Sequence, residues 1–84
     1  MRVENERRSY DVDNWTGREL TYYHFTVDGV PFFIKGHRGD WGLFCEDPKR
    51  FADVTHAGWD GYFNHWLRQS DAKAYAVEWV KSLS

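Results

Sequence analysis

Histidine and cysteine are the side chains of this sequence best suited to hold a metal or to work as base and nucleophile, and there are five of them: His24, His37, Cys45, His56 and His65. A metal site announces itself in sequence when one turn or one helix face presents two ligands together, as in C-x-x-C or H-E-x-x-H. Neither motif is present, and His56 and His65 stand nine residues apart. A site made of His37, Cys45, His56 and His65 would have to be assembled by the fold alone, so no metal and no cofactor is expected. Cys45 paired with a histidine would be a nucleophile. It alternates with Leu43 on what reads as the inner face of a strand, where a free thiol acts as a small hydrophobe.

Carboxylates come close in sequence at Asp11/Asp13 and Glu46/Asp47, with Asp53 and Asp60 further on. General acid–base work needs such groups gathered in a cleft. Asp11 and Asp13, two apart, share the outward face of a strand, and Asp47 before Pro48 reads as a helix cap. Gly36-His37-Arg38-Gly39 offers a backbone nest for an anion. It lacks the lysine and glycine spacing of a phosphate loop and lies between two strands. The expectation from these residues is a protein that is not an enzyme.

The elements that must position such side chains are constrained by size. Eighty-four residues make one domain, and a chain this short needs efficient core side chains. Five Trp, five Tyr and six Phe supply them. The single cysteine forbids an internal disulfide, and residues 1–8 contain no apolar segment of a signal peptide. A cytoplasmic location with no membrane span is therefore expected. Eleven basic against thirteen acidic residues, net −2, lack the excess of positive charge typical of a duplex binder.

Along the chain, residues 1–8 carry five charges without periodicity and read as a flexible N-terminal arm. Residues 9–84 then form a single α+β domain. Ser9–Trp15 alternates like a strand. Glu19–Val27 and Val30–Lys35 flank Asp28-Gly29, the signature of a two-residue type I′ hairpin. That turn pairs Val27 with Val30, Phe25 with Phe32 and Tyr23 with Ile34 on one apolar face. Asp40–Glu46 is a fourth strand. A short helix is expected from Asp47-Pro48. A second follows from the i, i+3, i+4, i+7, i+8 spacing of Trp59, Tyr62, Phe63, Trp66 and Leu67. A third, capped by Ser70, carries Ala72, Tyr75, Ala76, Trp79, Val80 and Leu83. The expected architecture is a four-stranded antiparallel β-meander in the N-terminal half, packed on one face by two to three C-terminal amphipathic helices.

The same register places Tyr22, His24, Phe33 and Phe44 on the other sheet face, among Asp11, Asp13, Lys35 and Glu46. Contiguous exposed aromatic surface marks a binding site unless something covers it. The plain alternative is cover by the N-terminal arm or by a homodimer partner. An aromatic face with acidic neighbours suits a basic protein surface. The leading expectation is thus a non-catalytic protein-binding module, an inhibitor or adaptor docking on a larger nucleic-acid-processing protein. Tyr22, His24, Phe33 and Phe44 are its anchors, with Asp11, Asp13 and Glu46 as charge partners. In size, lack of a catalytic motif and interaction-prone surface the chain is similar in kind to short phage proteins directed against host defences, anti-CRISPR proteins among them. That similarity implies surface occlusion of a larger enzyme and assigns no residues. The alternative is a single-stranded nucleic-acid-binding domain that stacks bases on the sheet aromatics and uses His37, Arg38, Lys49 and Arg50.

Overall fold

The computed structural model describes residues 2–47, 51 and 53–83. Among the described residues seven strands precede one helix: β1 (Val3–Val12), β2 (Glu19–Val27), β3 (Val30–His37), β4 (Asp40–Cys45), β5 (Thr55–His56), β6 (Trp59–Asp60), β7 (Tyr62–Trp66) and α1 (Gln69–Ser82). Five strands form one antiparallel sheet in the order β1-β2-β3-β4-β7, while β5 and β6 pair as a separate small hairpin. The class is α+β, as the sequence suggests, but the sheet has five strands rather than four, and among the described residues one helix covers it rather than two or three.

The β2–β3 hairpin is built as its turn chemistry dictates. Asp28 and Gly29 both take positive φ, 49° and 82°, the requirement of a type I′ turn. Val27 pairs with Val30, Phe25 with Phe32 and Tyr23 with Ile34. These six side chains, with Leu43 and Cys45 of β4, are buried under α1. The helix presents Ala72, Ala76 and Val80, four residues apart, and the two small alanines let its backbone come close to the sheet. Phe51 and Phe63 close the core edge-on against Trp79, at ring centroid distances of 5.1 and 4.9 Å.

Three expectations are corrected. First, the residues read as a flexible arm are strand: β1 begins at Val3 and runs along β2 as a sheet edge. Its alternation is hidden by a bulge at which Asn5 and Glu6 together oppose Phe25, with Asn5 at φ 56°. Charged side chains and a bulge on an edge strand also discourage pairing with another chain. Second, Trp59–Leu67 is not a helix. Gly61 at φ 78° separates the short β6 from β7, which joins the main sheet beside β4. Third, Ser70 lies inside the first turn of α1. Arg68 occupies the cap position, and no side chain caps it. The helix expected from Asp47-Pro48 through Phe51 and Val54 to Ala57-Gly58 is not formed in its described part, where Thr55–His56 is the strand β5; residues 48–50 and 52 lie outside the described residues. Phe51 and Asp53 beyond them are in a turn, with the Val54 N–H donating to Phe51 O at 2.9 Å.

The bulge in β1 turns Glu6 toward the helix side of the sheet, where it ties the first strand to α1. Lys73 Nζ donates to Glu6 Oε1 at 2.5 Å and to the Tyr23 hydroxyl at 3.2 Å, and the Tyr23 hydroxyl donates to Glu6. The Lys73 ammonium, then the Tyr23 hydroxyl, hold the Glu6 carboxyl below the ordinary range. Glu6 in turn holds Lys73 above its own. Burial, then the Glu6 carboxylate, push Tyr23 up. A depressed carboxyl stabilises the fold above its unfolded value, about 4.3, and loses that contribution as pH falls through the lowered value. A raised lysine stabilises below about 10.4 and loses its contribution as pH rises through the raised value. Glu6→Gln should therefore lower the urea midpoint at neutral pH. The gap from wild type should close at both extremes, as pH falls from about 4.3 through the lowered Glu6 value and as it rises from about 10.4 through the raised Lys73 value. A gap that stays constant across this range would show that the clamp adds nothing electrostatic.

Candidate functional site

The face opposite α1 is organised by strict cross-strand register. Arg7, His24, Phe33, Phe44 and Tyr62 lie directly opposite one another across β1, β2, β3, β4 and β7. A second row, Ser9, Tyr22, Lys35, Gly42 and His65, runs beside it. Directly opposed side chains are the ones that touch in a sheet, and here the rings form a continuous strip. Phe33 and Phe44 stack at 4.9 Å with 6° between planes, and Phe44 and Tyr62 at 4.6 Å with 17°. His24 and Tyr22 each sit 6.1 Å from Phe33. Gly42 makes this packing possible. A Cβ there would stand 3.1 Å from Phe44 Cε1 and 3.3 Å from Tyr62 Cε1, so both rings rest over bare backbone. The members of the strip are half-buried, and His56 of the β5–β6 hairpin packs edge-on against Tyr62 at 5.2 Å.

Two hollows flank it. The larger, about 370 Å³, is walled by Leu20, Phe44, Trp59 and Tyr62 and edged by Asp13, Arg18, Lys35, His37 and Asp40. Burial, and secondarily the charge of Asp40, push the Tyr62 phenol up. The smaller, about 310 Å³, is bounded by Tyr22, His24, Phe33 and Glu46. Beside it lies a polar chain: Ser9 Oγ is 3.2 Å from His24 Nε2, and His24 Nδ1 is 2.5 Å from Glu46 Oε1. A single neutral tautomer, with the proton on Nδ1, satisfies both contacts. Arg7 Nη2 approaches the same Glu46 oxygen at 3.8 Å. Lys35 Nζ sits 5.5 Å from the centroid of the Tyr22 ring, within reach of a cation–π contact.

Of the residues picked out in the sequence, Tyr22, His24, Phe33, Phe44 and Glu46 are brought together. Asp11 and Asp13 lie toward the far end of the same face rather than among these five. Each carboxylate accepts a nearby backbone N–H at 2.8 Å, from Val12 and Trp15 respectively, although Asp13 also borders the larger hollow. The charge of the face is mixed rather than acidic, because Arg7, Arg18 and Lys35 share it with Asp13, Asp40 and Glu46. Of the nucleic-acid set, Arg38 is exposed on the two-residue turn between β3 and β4. His37 accepts from Arg18 Nη1 at 3.0 Å. Lys49 and Arg50 lie outside the described residues. Cys45 is 4% exposed on the core face, away from the outer-face His24, and burial pushes its thiol up. Among the described residues no three of His, Cys, Asp and Glu converge, and no helix is long and apolar enough to cross a membrane.

Three members of this face carry no signal of their own in the sequence. Tyr62 reads as part of a helical stripe, and Ser9 and Arg7 become neighbours of His24 only once β1 is known to pair with β2. The available hint was alternation from Arg7 through Ser9 to Asp11. No family model, no curated protein and no solved structure matches the chain, and the functional reading rests on this face.

Proposed function

We propose that the open sheet face docks onto a larger protein, and that the chain works as an inhibitor or adaptor by covering a surface or holding one conformation of its partner. The observation that carries this is the Phe33–Phe44–Tyr62 stack, extended by Tyr22 and His24, which α1 leaves uncovered. Aromatic side chains already locked by stacking lose little freedom on binding, which makes them efficient anchors. The charges around them alternate in sign, so the matching surface is an apolar ridge flanked by both acidic and basic groups rather than a uniformly basic patch. The free, buried Cys45 favours a reducing compartment, and we place the encounter in the cytoplasm.

The test is quantitative capture of partners from the native host by wild type and by Tyr22→Ala/Phe33→Ala. Two lost anchors should reduce recovery of the specific partner at least ~tenfold, with the circular dichroism spectrum unchanged. Equal recovery would move the site elsewhere. Two other occupants have their own signatures: concentration-dependent sedimentation for a second copy, and retardation of single-stranded RNA or DNA that fades steeply with salt for a nucleic acid.

A further inference from the structure

We propose that Ser9, His24 and Glu46 form a nucleophile–base–carboxylate relay, and that Ser9 accepts an acyl group from activated esters whose apolar portion fits the hollow beside it. This goes beyond docking and stands or falls separately from it. The order of contacts carries the inference. Glu46 holds His24 through Nδ1 at 2.5 Å, which leaves Nε2 facing the Ser9 hydroxyl at 3.2 Å. A nucleophile bonded to a base that is itself oriented by a third group is the geometric signature of an activated hydroxyl.

The fold holds the three groups firmly. Ser9 and His24 sit on adjacent paired strands, and Glu46 follows β4 with its N–H donating to Pro31 O at 3.1 Å. Side chains on paired strands keep such geometry better than side chains on loops. The His24 side chain is only 16% exposed, so the imidazole is largely screened from solvent on its stacked side. The hollow of about 310 Å³ bounded by Tyr22, His24, Phe33 and Glu46 gives an acyl or leaving group an aromatic wall next to the base. Arg7, directly opposite His24, brings a guanidinium to 3.8 Å from Glu46 Oε1, at the carboxylate end of the relay, where it favours the ionised carboxylate that orients the imidazole.

In the first half-reaction the bond from Ser9 Oγ to the acyl carbon forms and the ester C–O bond breaks. The hydroxyl proton passes to His24 Nε2 and on to the leaving oxygen. In the second, water adds to the acyl carbon while its proton goes to His24 Nε2, the bond from the acyl carbon to Ser9 Oγ breaks, Oγ takes the proton from His24, and the carboxylic acid leaves.

The probe is p-nitrophenyl acetate with the folded chain. The expected result is release of p-nitrophenol above the buffer rate, with acetyl recovered by mass spectrometry on the Ser9 peptide. Ser9→Ala should abolish both. Glu46→Gln, which removes the carboxylate that orients the imidazole, should fall to the same level. Ser9 is exposed on an edge strand, so Ser9→Ala should keep the wild-type amide spectrum. Acetyl found on lysines or tyrosines only, or equal turnover by Ser9→Ala, would overturn the relay.

Discussion

Phe32→Ala is expected to lower the unfolding free energy by about 4 kcal/mol. Phe32 is 0% exposed at the centre of the sheet, opposite Phe25 on one side and Cys45 on the other. Its ring lies 5.6 Å from Phe25, 5.9 Å from Phe63 and edge-on to Trp79 at 5.9 Å. These neighbours belong to β2, β7 and α1, so the missing ring leaves a cavity between elements that cannot all move inward together. Small domains have only about 5–15 kcal/mol in total, and this one substitution removes a large part of it. Urea unfolding checks it: the midpoint should drop with an unchanged slope. A loss under about 1.5 kcal/mol would mean that the helix settles onto the sheet and refills the space.

Gly36→Ala is the second large effect, and here the cause is backbone. Gly36 has φ 153°, and a Cβ there would stand 2.0 Å from the carbonyl oxygen of Asp40 and 3.2 Å from the Cα of Trp41. Neither atom can swing aside, because Gly36 pairs with Trp41 and His37 with Asp40 at the closed end of the β3–β4 hairpin. The strands must separate there at a loss of about 3 kcal/mol. The same end of the hairpin supplies Gly36, His37 and Asp40 to the edge of the larger hollow. Amide exchange should accelerate at His37, Asp40 and Trp41 while the β2–β3 amides stay protected. Unchanged protection at these three positions would show that the hairpin end accommodates a side chain.

Which parts of this fold were legible follows from where the chain keeps its period. Asp28-Gly29 admits one hairpin geometry, and the side-chain alternation of Val27, Phe25 and Tyr23 against Val30, Phe32 and Ile34 is unbroken. Both the pairing and the division of the two faces could therefore be read directly. The stripe of Ala72, Ala76 and Val80 likewise has no interruption, and α1 is where it was expected. Bulges defeated the rest. In β7, Phe63 and Asn64 together oppose Leu43. The extra residue sets Phe63 and Trp66 three apart on the helix side, a spacing that imitates a helical turn. In β1 the extra residue at Asn5/Glu6 breaks the alternation just where charged side chains already suggest an arm. Four aromatic members of the outer-face strip are legible because they lie on unbroken strands or next to them. Tyr62, and the partnership of Ser9 with His24, were missed because each depends on a neighbouring strand that a bulge concealed.

Because α1 follows every strand in the chain, the ribosome delivers the sheet before its cover. Phe25, Phe32, Ile34 and Leu43 leave the exit tunnel ahead of the segment that shelters them. At about 5–20 residues per second the interval lasts on the order of seconds. Until Ala72 and Ala76 arrive, the nascent sheet has two greasy sides instead of one. The bulged, charge-rich β1 blunts one edge of that sheet against pairing with a neighbouring chain, and the other edge stays at β4 until β7 joins it.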